Sequence, residues 1–328
     1  MNKLKCASFF AGVGGIDIGF AGYKETESNV FEIVYANEID KYPVETYELN
    51  SNLKVDCRDI RDVVKDIDNI PNFDVMLAGF PCQAFSIAGY RQGFDDEKGR
   101  GTLFFELIKI IRKKKPSIIF LENVKNLVTH NNGDTLATIL DALKKEGYFV
   151  KYKVLNAMDY GNVPQNRERI YIVAFSDKQK SENFQFPEKI ELNMSIKDVI
   201  DFSHKMDDKY YYTDGKYKGD IFDKLNEAMD DSKSIYQWRR HYVRKNMSGV
   251  IPTLTANMGT GGHNVPLVKT PYGIRKLTPH ECFNAQGFPT DFKLPKNMAE
   301  SRIYKQAGNS VCVSVISRIA KEIENVIS

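Results

Sequence analysis

Cysteine is scarce in this chain, long apolar runs are missing, and the net charge is close to zero. The five cysteines, Cys6, Cys57, Cys82, Cys282 and Cys312, are odd in number and lack the paired spacing of a metal site. That argues against a disulfide framework or structural zinc, and for reduced thiols in a cytoplasm. His130, His204, His241, His263 and His280 show no ligand spacing either, so no metal is expected. No window reaches the roughly 18 consecutive apolar residues of a membrane span. Residues 1–22 open with Lys3 and Lys5 before an apolar stretch, as a signal peptide does, but glycines and Asp17 interrupt it. A net charge of +3 is too small to argue for a polyanionic partner, so only local charge can do so. The expectation is a soluble cytoplasmic protein with no membrane partner.

A chain of 328 residues can bury one large core and carry a second, smaller domain. Short apolar runs predict strands over Lys5–Phe10, Glu32–Ala36, Phe73–Ala78, Ser117–Leu121, Tyr148–Asn156 and Arg169–Phe175. Apolar spacings of three and four predict helices over Thr102–Lys113 and Asp134–Glu146. This alternation implies an α/β fold with a doubly wound, mostly parallel sheet that binds ligands at the carboxyl ends of its strands. Beyond residue 180 the chain turns polar, and Ser232–Asn246 then carries Lys233, Arg239, Arg240, Arg244 and Lys245 without an acid. The expected division is residues 1–185, a second domain over 186–275, a hinge and return segment over 276–304, and residues 305–328, whose helix Val311–Ile327 completes the first domain. Arg112-Lys113-Lys114-Lys115 reads as a cationic helix end, where charge complements the dipole, with a nucleic-acid patch as the alternative.

The chemistry concentrates after the apolar runs. Gly79-Phe80-Pro81-Cys82-Gln83-Ala84-Phe85-Ser86 follows Val75–Ala78, which displays Cys82 at a strand edge behind the stiffening Pro81. Glu122-Asn123-Val124 follows Ile118–Leu121, and Gln165-Asn166-Arg167-Glu168-Arg169 precedes Ile170–Val173. A thiol, an acid and two arginines can therefore converge on one sheet edge for covalent chemistry on a planar, polar substrate. Ser8-Phe9-Phe10-Ala11-Gly12-Val13-Gly14-Gly15 is a strand running into a glycine turn and a helix, where amides can face a ligand. The dinucleotide pattern needs a small residue where Asp17 stands, and a carboxylate there is expected to repel phosphate. Glu38 can accept from both hydroxyls of a ribose, and Asp59, beside Ile60 near the end of a third strand-like segment, from an adenine amino group. A nucleoside without phosphates fits this set, which points to S-adenosylmethionine. An ordinary tight strand–helix turn is the alternative.

Assembled in order, these blocks, with Arg275–Cys282 and Gln306–Val311, resemble the DNA cytosine-5 methyltransferase family of bacterial restriction–modification systems. The resemblance implies a Rossmann-like methyltransferase fold with a smaller target-recognition domain. It makes Cys82 the nucleophile, Glu122 the contact to the cytosine ring nitrogen and amino group, Arg169 a partner of the carbonyl oxygen, and Arg167 a brace for the thiol loop. Phe10, Gly12, Gly14, Gly15, Glu38, Ile39, Asp59, Ile60, Pro81, Leu103 and Asn309 match positions that line the S-adenosylmethionine pocket. Residues 83–102 match a loop that closes over DNA. Ser86, Arg239, Arg240, Arg244, Thr253, Thr255 and Asn257 are the candidates for touching DNA, since arginine suits guanine edges and phosphates. The implied partner is duplex DNA, with a restriction endonuclease as genetic companion and a monomeric enzyme. Three alternatives stay open: a transfer-RNA methyltransferase on the same core, a nucleotide-dependent oxidoreductase, which Asp17 opposes, and a DNA-binding module without activity.

Overall fold

The protein is represented by a computed structural model that describes residues 3–24, 28–81, 103–217, 219–239, 241–259 and 265–327. The chain divides into two compact units, one of residues 1–155, 168–188 and 315–328, the other of 156–167 and 189–314.

In the first unit, strands β1 (Leu4–Phe9), β2 (Phe31–Asn37), β3 (Val75–Ala78), β4 (Ile118–Val124), β5 (Phe149–Asn156) and β7 (Glu168–Phe175) form one sheet in the order β2-β1-β3-β4-β7-β5. β2 and β3 flank β1 in parallel and β4 continues that direction, while β7 runs antiparallel to β4. Every residue of β3 is fully buried, which is why its sequence is an unbroken apolar run rather than an alternation. Helices Leu103–Lys114 and Asp134–Lys145 bury Phe104, Leu107, Ile108 and Ile111, and Leu136, Ile139 and Leu143, in the same core. These elements match the expected strands and helices to within three residues at each end. The cationic end of Leu103–Lys114 is taken up structurally: Arg112 pairs with Glu146, Lys113 with Asp68, and the Lys114 ammonium donates to the Ile70 carbonyl.

The second unit holds the antiparallel sheet β12-β11-β8-β9, made of β8 (Ile235–Arg239), β9 (Tyr242–Asn246), β11 (Leu267–Thr270) and β12 (Gly273–Lys276). β6 (Gln165–Asn166) pairs with β10 (Ile251–Pro252) in parallel. Tyr212, Leu225, Met229, Tyr236, Trp238, Leu267 and Ile274 form its core. The boundaries differ from the expected division. Residues 276–314 stay with the second unit because the Leu277 amide donates to Pro266 and fully buried Arg275 grips both carboxylate oxygens of Glu281 and the Asp201 carbonyl. Residues 156–167 join the same unit through β6. Among the described residues no helix is long and apolar enough to cross a membrane.

Candidate functional site

The first unit carries the glycine turn. After β1 the backbone enters the left-handed region at Phe10, Gly12 and Gly14, with φ of 54°, 56° and 86°. Gly14 is required twice over: its φ suits glycine, and a Cβ would stand 2.9 Å from ring carbons of Tyr47. Glu38, one residue past β2, takes the Gly12 amide on one oxygen at 3.0 Å and the Asp40 amide on the other at 2.9 Å. Burial raises its carboxyl above the ordinary carboxylate range, although those two amides pull the other way. Each oxygen keeps a lone pair for a diol. Ile39 beside it is 59% exposed, an apolar surface suited to cover a flat base.

Asp17 corrects one expectation. Its side chain does not face a ligand at the turn; it is buried, accepting from the Ser8 hydroxyl at 2.5 Å and the Tyr47 hydroxyl at 2.6 Å. It therefore cannot be the group that repels phosphate, and the carboxylate at the turn amides is Glu38 instead. Asp59 caps helix Ile60–Lys65, and the strand-like segment before it is reduced to a single bridge between Asn37 and Asp56. The Arg61 guanidinium clamps the Asp59 carboxylate at 2.7 and 2.9 Å, which lowers its carboxyl, so an adenine amino group would share that acceptor with Arg61. The Ile60 side chain sits in the core, leaving only its backbone to face a ligand. Leu103 is half-buried and Pro81 is exposed.

The β4–β7 register brings the acid and one arginine together. Glu122 pairs with Tyr171 and Val124 with Arg169, so Glu122 and Arg169 share a face as diagonal neighbours. The Arg169 Nε lies 3.1 Å from Glu122 Oε1, with side chains only 12% and 10% exposed. Asn123, on the other face, donates to the Phe80 carbonyl at 2.8 Å and so fixes the chain two residues before Cys82. Cys82, Ser86 and the rest of residues 82–102 lie outside the described residues, as does Arg240.

In the second unit Arg167, 2% exposed, donates to the carbonyls of Leu254 (2.8 Å), Gly308 (3.2 Å) and Ser310. It joins the loop holding Thr253, Thr255 and Asn257 to the end of helix Glu300–Asn309. Those three residues and Asn309 are exposed. On the β8–β9 hairpin, Gln237 faces Arg244 and Arg239 faces Tyr242 across the strands, so these four share one side. Tyr236, Trp238 and Val243 pack on the other side against the core. Lys245 pairs with Asp230 at 2.8 Å, whereas neither Arg239 nor Arg244 forms an ion pair among the described residues. Sequence reasoning passed over Asn123 and Gly308 although both stand inside the quoted blocks, and nothing in the sequence marked Tyr47.

The comparisons with known proteins agree with this architecture. Residues 4–325 match the family model for C-5 cytosine-specific DNA methylase. The chain is 57% identical to the type II methyltransferase M.Bsp6I of Bacillus sp. (strain RFL6) over 320 residues, 98% of each chain. It is 38% identical to the type II methyltransferase M.HhaI of Haemophilus parahaemolyticus over 341 residues, covering 98% of this chain and 95% of that one. Its fold resembles that of a Spodoptera frugiperda DNMT2 mutant with a TM-score of 0.72 at 20% identity, covering 98% of this chain and 100% of that one.

Proposed function

The chain belongs to the C-5 cytosine-specific DNA methylase family, and from that premise we propose that it methylates carbon 5 of a flipped-out cytosine in a short duplex site through a covalent Cys82 adduct. The observation that carries this reading is the buried Glu122–Arg169 pair at the edge that begins the Cys82 segment: Glu122 Oε2 lies 3.6 Å from where a Cβ on Gly79 would stand.

Carbon 5 of cytosine is too weak a nucleophile to take a methyl group unaided. The Cys82 thiolate adds its sulfur to carbon 6, and Glu122 holds a proton on ring nitrogen 3 while accepting from the exocyclic amine. Arg169 donates to the ring carbonyl oxygen. Together these shift the ring electrons onto carbon 5 as an enamine. S-adenosylmethionine, when bound, supplies the electrophilic methyl group. The carbon 5 proton then leaves to a base, the electron pair returns to the ring, and the sulfur departs as thiolate. Only the thiolate attacks, so a neighbouring guanidinium serves the first step. A base inside a duplex is out of reach, so flipping is required, at a cost of a few kcal/mol that phosphate and base contacts of the second unit offset.

The residues of the glycine turn fit that cofactor. Glu38 offers a lone pair on each oxygen to a ribose diol, Ile39 an exposed apolar wall, and Asp59 an acceptor for an amino group. The biological reading is protection of host DNA in a restriction–modification system, supported by the similarity to two type II methyltransferases.

The test is a duplex carrying 5-fluorocytosine in the target site, identified by bisulfite sequencing of DNA from cells that make the protein. Because fluorine cannot leave as a proton does, the protein is expected to be trapped as a mass-shifted adduct, and Cys82→Ala to form none and to lose turnover. Methylation by Cys82→Ala, or no adduct under turnover conditions, would overturn the mechanism. Methylation of transfer RNA in preference to duplex DNA would overturn the substrate.

A further inference from the structure

Asp17, Ser8 and Tyr47 form a buried cluster directly beneath the glycine turn, joining three elements. Ser8 stands near the end of β1, Asp17 in helix Gly15–Ala21, and Tyr47 in helix Lys41–Asn50. One carboxylate oxygen receives the serine hydroxyl and the other the tyrosine hydroxyl, with all three residues at 4% exposure or less. The Tyr47 ring, thus held by its hydroxyl, is the surface on which Gly14 rests, and it packs with Ala11, Ala36 and Val55. Gly14 in turn closes the turn through its amide to the Ala11 carbonyl, and Gly12 within it donates to Glu38.

We infer that Asp17 is a positioning residue for the cofactor turn: ionised, it anchors the Tyr47 ring that sets the backbone at Gly14, and protonated, it releases that hold and weakens cofactor binding. The inference rests on the reading that this turn holds S-adenosylmethionine. A carboxylate accepting two hydroxyl hydrogen bonds grips both more tightly than a neutral carboxyl, which must turn one of its oxygens into a donor. Among the described residues, the titratable groups that face Asp17 are the Cys6 thiol from β1 and the Tyr47 phenol. Burial first, and the Asp17 charge second, hold both well above their ordinary values, so both stay neutral from pH 5 to pH 8. Among the described residues no cation acts on Asp17, and burial pushes its carboxyl up to about 6 despite the two hydroxyls.

The sign of this effect differs from that on folding. The folded-state value lies above the ordinary 3.8, so protonation of Asp17 favours the folded chain. That contribution is complete below about pH 4 and is lost as the pH rises through about 6. Cofactor affinity should therefore rise over the pH range in which the Asp17 part of stability falls. A residue with only a structural role would move both in one direction.

The experiment is calorimetric titration of the full chain with S-adenosylmethionine at intervals from pH 5 to pH 8, alongside thermal melts, for the wild type, Asp17→Asn and Tyr47→Phe. Glu38 titrates in all three proteins, so differences between the curves isolate Asp17. Asp17→Asn should bind about fivefold more weakly than wild type at pH 7.5, the difference between a charge-assisted and a neutral hydrogen bond. It should merge with wild type near pH 5 and melt no lower than wild type above pH 7. Tyr47→Phe, which keeps the ring and cuts the link, should also lose the step near pH 6. Affinity curves for either variant that superimpose on the wild type at every pH overturn the inference, and Tyr47→Phe alone decides if Asp17→Asn does not fold. Absence of binding by every protein at every pH overturns the cofactor reading as well, which separates the two failures.

Discussion

Glu122 and Arg169 meet at 3.1 Å where each side chain is about nine-tenths covered, so little water competes with their pairing. Glutamine at position 122 keeps the size and one acceptor but cannot hold a proton on ring nitrogen 3. Glu122→Gln is expected to lower kcat by about 100- to 10,000-fold with a much smaller change in DNA affinity. Single-turnover methylation with tritiated cofactor measures this, and a rate within a few fold of wild type would remove Glu122 from the proton step. The acids of the first unit thus differ in task through their surroundings: Glu122 is paired with a cation, Glu38 with two amides, and Asp17 with two hydroxyls. The residue types of the blocks were readable in the sequence, but the side to which Asp17 turns was not. A carboxylate in the first turn of a helix can point to solvent or inward, and only the hydroxyls of Ser8 and Tyr47, the latter thirty residues away, settle it.

At the scale of elements, the loop Thr253–Asn257 and the end of helix Glu300–Asn309 approach until backbones touch. A Cβ on Gly308 would stand 2.1 Å from the Thr255 carbonyl carbon, and Arg167 bonds carbonyls on both sides. Gly308→Ala must displace that loop, with an expected loss of about 1–3 kcal/mol. It should lower the melting temperature and weaken DNA binding, while a melting temperature and DNA affinity equal to wild type would show that the loop yields without cost. The strands and helices themselves were legible because burial on both faces of a parallel sheet leaves continuous apolar runs, as in Val75–Ala78. The carbonyl partners of Arg167 were not legible. Leu254 and Gly308 are 87 and 141 residues away, and a backbone carbonyl leaves no mark on the sequence.

For the molecule as a whole, the net charge of +3 leaves DNA attraction to local arrangement. Arg239 and Arg244 stand on the side of the β8–β9 hairpin away from its aromatic core, unpaired with any described acid, while Lys245 is neutralised by Asp230. A two-stranded ribbon of this kind fits the major groove. Arg244→Ala is expected to weaken binding of the target duplex and to reduce the slope of log affinity against log salt by about one if it contacts a phosphate. An unchanged affinity and slope would exclude Arg244 from the interface.

The sequence by itself determined the order of strands and helices and the ordered blocks that identify the family, because those depend on local periodicity and on residue types at fixed spacing. Tertiary structure alone decided where the two units divide, which partners Arg167 and Asp17 take, and that Asp59 caps a helix rather than ending a strand. Each of these depends on groups brought together from distant parts of the chain, and a hydrogen bond between distant residues imposes no spacing on the sequence between them.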